Sequence, residues 1–162
     1  MPVTLGKHGD YAVRAALDLA RHRDGEPRKA REIAAAMDIP TGFLKRILAE
    51  LVSQGLLTST AGPNGGYRLI RPPEDITVLD IIEPTERLLS PDKCILRGGP
   101  CEWSDVCPIH DLWCLAQKAF ADSLDATTLA QLARIDHDIE HDAHTPINAL
   151  HTNQTPRRGI RT

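Results

Sequence analysis

Two apolar stripes of helical period stand on either side of a three-residue break, and few architectures accept that arrangement. Ala30, Ile33, Ala34 and Met37 repeat at i, i+3, i+4 and i+7; after Asp38, Ile39 and Pro40 the spacing returns in Leu44, Ile47, Leu48 and Leu51, ending at Gly55. Two short helices joined so tightly make a helix-turn-helix. Ahead of them Ala12, Val13, Ala16, Leu17 and Ala20 predict a first helix over Asp10 to Ala20, closed by a polar stretch from Arg21 to Arg28. Behind them Leu56 to Thr60 and Tyr67 to Ile70 read as strands around GPNGG, whose Asn and Gly residues readily take positive φ. A helix-turn-helix followed by a hairpin is a winged helix. The expected fold class is mainly α with one small β-hairpin.

The next segment, Ile76 to Arg87, is an apolar-rich helix that Pro84 should cut. A Gly/Pro-broken loop follows. From Pro108 to Leu124 a longer helix carries Leu112, Trp113, Ala116, Ala119 and Phe120, and Thr128 to Ala133 predicts a short last helix. Three units result: a DNA-reading unit over 1–75, a cysteine-loop and helical unit over 76–133, and a polar, flexible tail over 134–162. Charge divides along the same lines, with 11 Lys/Arg against 9 Asp/Glu in residues 1–75 and 4 against 9 in residues 76–133. An N-terminal unit that faces a polyanion, beside an acidic unit that does not, fits this split. No apolar run approaches the roughly 18 residues of a membrane span, and MPVTLGKHGDYAVRAALDLA reads as an amphipathic helix and not a signal peptide. A cytoplasmic location is expected, where cysteines stay reduced and serve metal or redox chemistry.

In a recognition helix the inward stripe packs on its own domain and the N-terminal outward residues meet base edges. Here the outward set is Thr41, Gly42, Phe43, Lys45, Arg46 and Glu50. Arg46 offers a fork to guanine, Lys45 a point charge to guanine or phosphate, and Phe43 an apolar contact to a thymine methyl. Solvent alone also selects a charged helix face; the adjoining turn and wing favour double-stranded DNA. At the wing, Asn64 and Gly65 are candidate contacts, with Gly65 and Gly66 letting backbone approach a minor groove. No Ser/His/Asp pattern or phosphate loop suggests an enzyme.

Cys94, Cys101 and Cys107 are separated by six and five residues, unlike the closely spaced pairs that pre-shape tetrahedral zinc sites. Thiolates arriving from such wide spacing through Gly98, Gly99 and Pro100 suit a larger iron-sulfur cluster. Pro108 marks a first helical turn, which puts Cys107 at its positive end with His110 one turn on. Cys114 lies about 10 Å further along such a helix and reads as a buried small hydrophobe. His137, His141 and His144, among Asp136, Asp138 and Asp142, could bind a divalent metal on a helix, but a solvated tail accounts for them as well.

With these residues the chain resembles the Rrf-two family of winged-helix transcriptional regulators, whose branches are IscR-like and NsrR-like. The resemblance spans about residues 4–133 and rests on GDYAVRAALDLA, GPNGGYRL followed by ITVLDIIE, the three cysteines, CPIHDLW and TTLAQL. It implies a homodimer joined by the long helix after the third cysteine, and an iron-sulfur cluster on Cys94, Cys101 and Cys107 whose state sets DNA affinity. The fourth ligand stays open between His110, as in the IscR-like branch with a 2Fe-2S cluster, and Asp10 from the other subunit, as in the NsrR-like branch with a 4Fe-4S cluster. The implied function is a repressor that senses nitric oxide, redox state or cluster supply. A cluster-free regulator switched by disulfides among the same cysteines is the alternative.

Overall fold

The computed structural model describes residues 5–86 and 107–140. Its order is α1 (Lys7–Arg21), α2 (Ala30–Ala36), α3 (Thr41–Ser53), β1 (Leu57–Thr60), β2 (Gly66–Leu69), a 3₁₀ turn (Pro73–Asp75), α4 (Val78–Glu86), α5 (His110–Asp125) and α6 (Leu129–Glu140). This is the expected winged helix. The break between α2 and α3 is a left-handed helix stop: Asp38 has φ 50°, and the Ile39 N–H reaches back to the Ala34 carbonyl at 3.0 Å. Pro40 then starts α3, its carbonyl accepting from Phe43 and Leu44. At the far end Gly55 (φ 72°) repeats the stop, with Gly55 N–H on Val52 and Leu56 N–H on Leu51, both at 3.0 Å.

The core lies where these stripes meet. Leu44, Ile47, Leu48 and Leu51 of α3 are buried against Ile33 of α2 and against Ala12, Ala15, Ala16 and Leu19 of α1, whose small side chains admit close helix approach. The antiparallel hairpin pairs Leu57 with Leu69 and Thr60 with Gly66, and Arg28 adds a bridge to Tyr67 at its outer edge. Reciprocal caps start the last elements: Thr77 and Asp80 exchange bonds at the head of α4, Thr128 and Gln131 at the head of α6. The two heads are tied by Val78 N–H to the Thr127 carbonyl and Leu129 N–H to the Ile76 carbonyl, and Leu129 is fully buried.

Four local expectations need correction. Pro84 does not cut its helix; it sits inside α4, close enough to the end that helical backbone continues to Glu86. The positive φ of the GPNGG turn falls on Gly62 (φ 105°) and not on Asn64, Gly65 or Gly66. Helix α5 starts at His110 with Ile109 as its cap residue, so Cys107 precedes the helix. Helix α6 runs past Ala133 to Glu140, and along that extension Arg21 of α1 pairs with Asp136. Cys94, Cys101, His141 and His144 lie outside the described residues.

Candidate nucleic-acid interface and metal-ligand positions

Burial of one face of α3 dictates what the other presents. With Leu44, Ile47, Leu48 and Leu51 inside, Thr41, Gly42, Phe43, Lys45 and Arg46 are all exposed on one surface. Phe43 is 55% exposed and meets the edge of Tyr11 from α1, ring centroids 6.0 Å apart. Glu50, at the other end of the outward set, is not free for a base edge: its Oε2 lies 2.7 Å from His8 Nε2. Lys45 and Arg46 therefore supply the positive charge of this surface.

The wing departs from expectation at its two adjacent glycines. Asn64 is exposed, but Gly65 is buried, and a Cβ there would fall 2.1 Å from the Thr60 carbonyl oxygen. At Gly66 the obstacle is the Arg28 carbonyl at 2.6 Å. Both glycines are required by backbone packing within the protein, and the exposed tip is Ala61 to Asn64.

Residues that periodicity does not reveal hold this surface in place. Asp18, on the apolar side of α1 and 1% exposed, takes both prongs of the Arg28 guanidinium at 2.9 Å. That hydrogen bond holds the Arg28 pKa above its ordinary value, against the opposing effect of burial. Since the Arg28 backbone also exchanges hydrogen bonds with Tyr67 at 3.1 and 2.8 Å, one buried acid anchors the wing to α1. The signal was an aspartate inside an apolar stripe.

Asp10 is half-buried and faces Arg14, which binds it with Nε at 3.1 Å and Nη2 at 3.0 Å. Arg14 also donates to the Met37 carbonyl at 3.3 Å and lies 5.8 Å from the Tyr11 ring centroid. Next to Asp10, the Glu86 carboxylate accepts from Gly9 N–H at 2.8 Å, an anion at the positive end of α1. Cys107 is a half-buried free thiol whose carbonyl accepts from His110 N–H at 3.1 Å. His110 Nε2 lies 3.7 Å from Cys114 Sγ, so Cys114 is half-buried beside an imidazole and not the core hydrophobe expected. Taken by type, the Cys107 sulfur, the His110 imidazole and the Asp10 carboxylate are donors of the kind an iron-sulfur cluster would take. Among the described residues, however, no three His, Cys, Asp or Glu side chains converge within one chain, so Asp10, Cys107 and His110 are not brought together.

On α5, Leu112 and Leu115 are each 66% exposed, with Ile109 and Phe120 also open. No described helix is long and apolar enough to cross a membrane. Over residues 5–135 the chain matches the Rrf2 family, described as iron-dependent transcriptional regulators. An HTH-type transcriptional regulator of Haemophilus influenzae is 33% identical over 150 residues, covering 93% of this chain and 99% of the relative. The solved structure of T. potens IscR superposes with a TM-score of 0.69 at 29% identity, covering 93% of this chain and 98% of that one. CymR, the global cysteine regulator of B. subtilis, gives 0.66 at 28% identity, covering 82% and 97%. With its helix-turn-helix, its paired wing and a match across most of its length, the chain belongs to the Rrf2 family of DNA-binding transcriptional regulators.

Proposed function

We propose that this regulator is a cytoplasmic homodimeric repressor whose DNA affinity is set by an iron-sulfur cluster that senses nitric oxide, redox state or cluster supply. The observation that carries the DNA half is the face of α3, where Thr41, Phe43, Lys45 and Arg46 stand exposed on a helix locked by four buried aliphatic residues. Such a helix entering a major groove can present the Arg46 fork to guanine and the Lys45 charge to phosphate, with Asn64 at the wing tip beside it. The exposed leucines of α5 support a second copy as the partner, since a soluble chain rarely leaves a contiguous apolar stripe to water. Two recognition helices must then sit about 34 Å apart to match successive half-sites.

Cys94, Cys101 and Cys107 would hold the cluster, with Asp10 of the partner subunit or His110 as the fourth ligand. When bound, a cluster supplies iron that nitric oxide and oxidants attack. What this chain's residues do is couple that position to DNA: Arg14 touches Asp10, the Met37 carbonyl in the helix-turn-helix and Tyr11, which in turn abuts Phe43. A change at Asp10 therefore reaches the start of α3 through one guanidinium.

A thiol-switched regulator without a cluster is favoured by one separate observation, the Cys114 thiol beside His110, together with the likeness to the cysteine regulator. Anaerobic purification followed by visible spectroscopy separates the two. A broad visible absorption with iron and sulfide in stoichiometric ratio is expected. A colourless protein after anaerobic reconstitution, with operator affinity that follows thiol oxidation, would transfer the sensing role to the cysteines alone. Selection of bound duplexes from a random pool supplies the operator; failure to enrich any sequence would remove the DNA-reading half.

A further inference from the structure

Behind the wing, between the end of α1, strand β2 and the segment that leads to the 3₁₀ turn, lies a partly open cavity of about 260 Å³. Arg23, Arg28, Arg68 and Arg71 line it together with His22 and Tyr67, and no Asp or Glu is among its lining residues. Four arginines gathered at one small cleft require counter-charges. Three have carboxylate partners: Arg28 has Asp18 at 2.9 Å and Glu32 at 3.7 Å, Arg23 has Glu74 at 3.1 Å and Arg71 has Asp80 at 3.1 Å. Arg68 has no carboxylate partner among the described residues, and its Nη1 donates only to the Arg23 carbonyl at 3.5 Å.

Arg68, exposed at the mouth of this cleft, is thus a guanidinium left to meet an anion from solution, and planar arginine forks match the geometry of carboxylate and phosphate. The volume is just below the roughly 300–1,000 Å³ of sites for drug-sized ligands, which selects a small occupant. No α3 residue and no residue of the exposed wing tip lines the cavity, which sets it apart from the recognition surface. We infer that this cavity binds a small oxyanionic metabolite, one bearing carboxylate or phosphate groups, as an input to the regulator separate from its cysteines. Its walls join α1 to β2, and the Arg28 backbone is bonded to Tyr67, so an occupant bears on the wing directly.

Isothermal titration of the full chain with citrate and with inorganic phosphate, at constant ionic strength, tests this. At least one of them should bind saturably at one site per chain. Arg68→Ala should weaken that binding tenfold or more, and Arg68→Lys should recover part of it. Arg31→Ala, which removes an exposed charge on α2 outside the cavity, should leave it unchanged. Circular dichroism checks that each variant folds; if Arg68→Ala does not, Arg23→Gln carries the same expectation. Binding should survive saturation of the protein with its selected duplex. The inference is overturned if neither anion binds saturably, if Arg68→Ala binds as the unaltered chain does, or if Arg31→Ala is as damaging. Full displacement by the duplex would likewise overturn it and give the cavity to a DNA phosphate.

Discussion

Replacing Asp18 by Asn tests whether a single buried acid anchors the wing. In the native protein both carboxylate oxygens accept from Arg28 at 2.9 Å, and Asp18 is 1% exposed. Asn offers one acceptor and turns an amide N–H toward a guanidinium that only donates, leaving a partly buried cation short of its counter-charge. Breaking a fully buried pair by removing one partner costs about 3–5 kcal/mol. Arg28 retains one-fifth of its side-chain exposure and has Glu32 at 3.7 Å, so the loss should be about 2–3 kcal/mol. For a chain of this length each kcal/mol lowers Tm by roughly 2–4 °C, giving a fall of about 4–12 °C. Urea denaturation followed by far-UV circular dichroism measures the loss directly. Asp122→Asn is the control, because its i,i+4 pair with Lys118 is exposed and should contribute less than about 0.5 kcal/mol. An Asp18→Asn loss no larger than that of Asp122→Asn would refute the anchoring role. Replacing both partners, Asp18→Leu with Arg28→Met, should recover part of the loss, since no uncompensated charge then remains.

Arg46→Ala should cost about 1–3 kcal/mol on the selected operator and relax discrimination at one base per half-site, whereas Lys45→Ala should flatten the log K against log salt slope by about 0.9 per lost phosphate contact; fluorescence anisotropy across a salt series reads both. Single Cys→Ala changes at Cys94, Cys101 and Cys107 should each abolish the visible chromophore while Cys114→Ala retains it, and of Asp10→Ala and His110→Ala only one should alter the spectrum and iron content. Gly65→Ala should destabilise the wing by about 1–3 kcal/mol, because its Cβ would collide with the Thr60 carbonyl, whereas Gly42→Ala meets nothing within 4 Å and should stabilise α3 by up to about 1 kcal/mol in a thermal melt. The Lys29 backbone N–H holds the Glu32 carboxyl below its ordinary pKa. A lowered folded pKa contributes stability that is present above the unfolded value and lost as pH falls through the folded one, so the stability difference between Glu32→Gln and the native chain should shrink on acidification, as NMR titration and urea melts would show.

Periodicity and turn chemistry are local properties, and what depends on them was legible in the amino-acid order. Leu44, Ile47, Leu48 and Leu51 had to share a face, Asp38 to Pro40 had to stop one helix and start another, and GPNGG had to close a hairpin. The exposed positions of α3 follow from the same stripe, which is why the amino-acid order alone marks Thr41, Phe43, Lys45 and Arg46 as outward-facing. Family motifs also marked the cysteines, but the donors Asp10 and His110 could not be told apart from sequence, because ligation depends on which atoms converge. Only tertiary packing decided that Glu50 is held by His8, that Glu86 sits on the N-terminus of α1, that Gly65 faces its own backbone, and that Asp136 of α6 pairs with Arg21 of α1. The reason is one of range: the His8–Glu50 and Gly9–Glu86 contacts join residues 42 and 77 positions apart, and no helical or strand repeat carries information over such a distance. Four arginines likewise come from the end of α1, the bridge to β2, β2 itself and the chain beyond it, and they line a single cavity only once the wing has folded against α1.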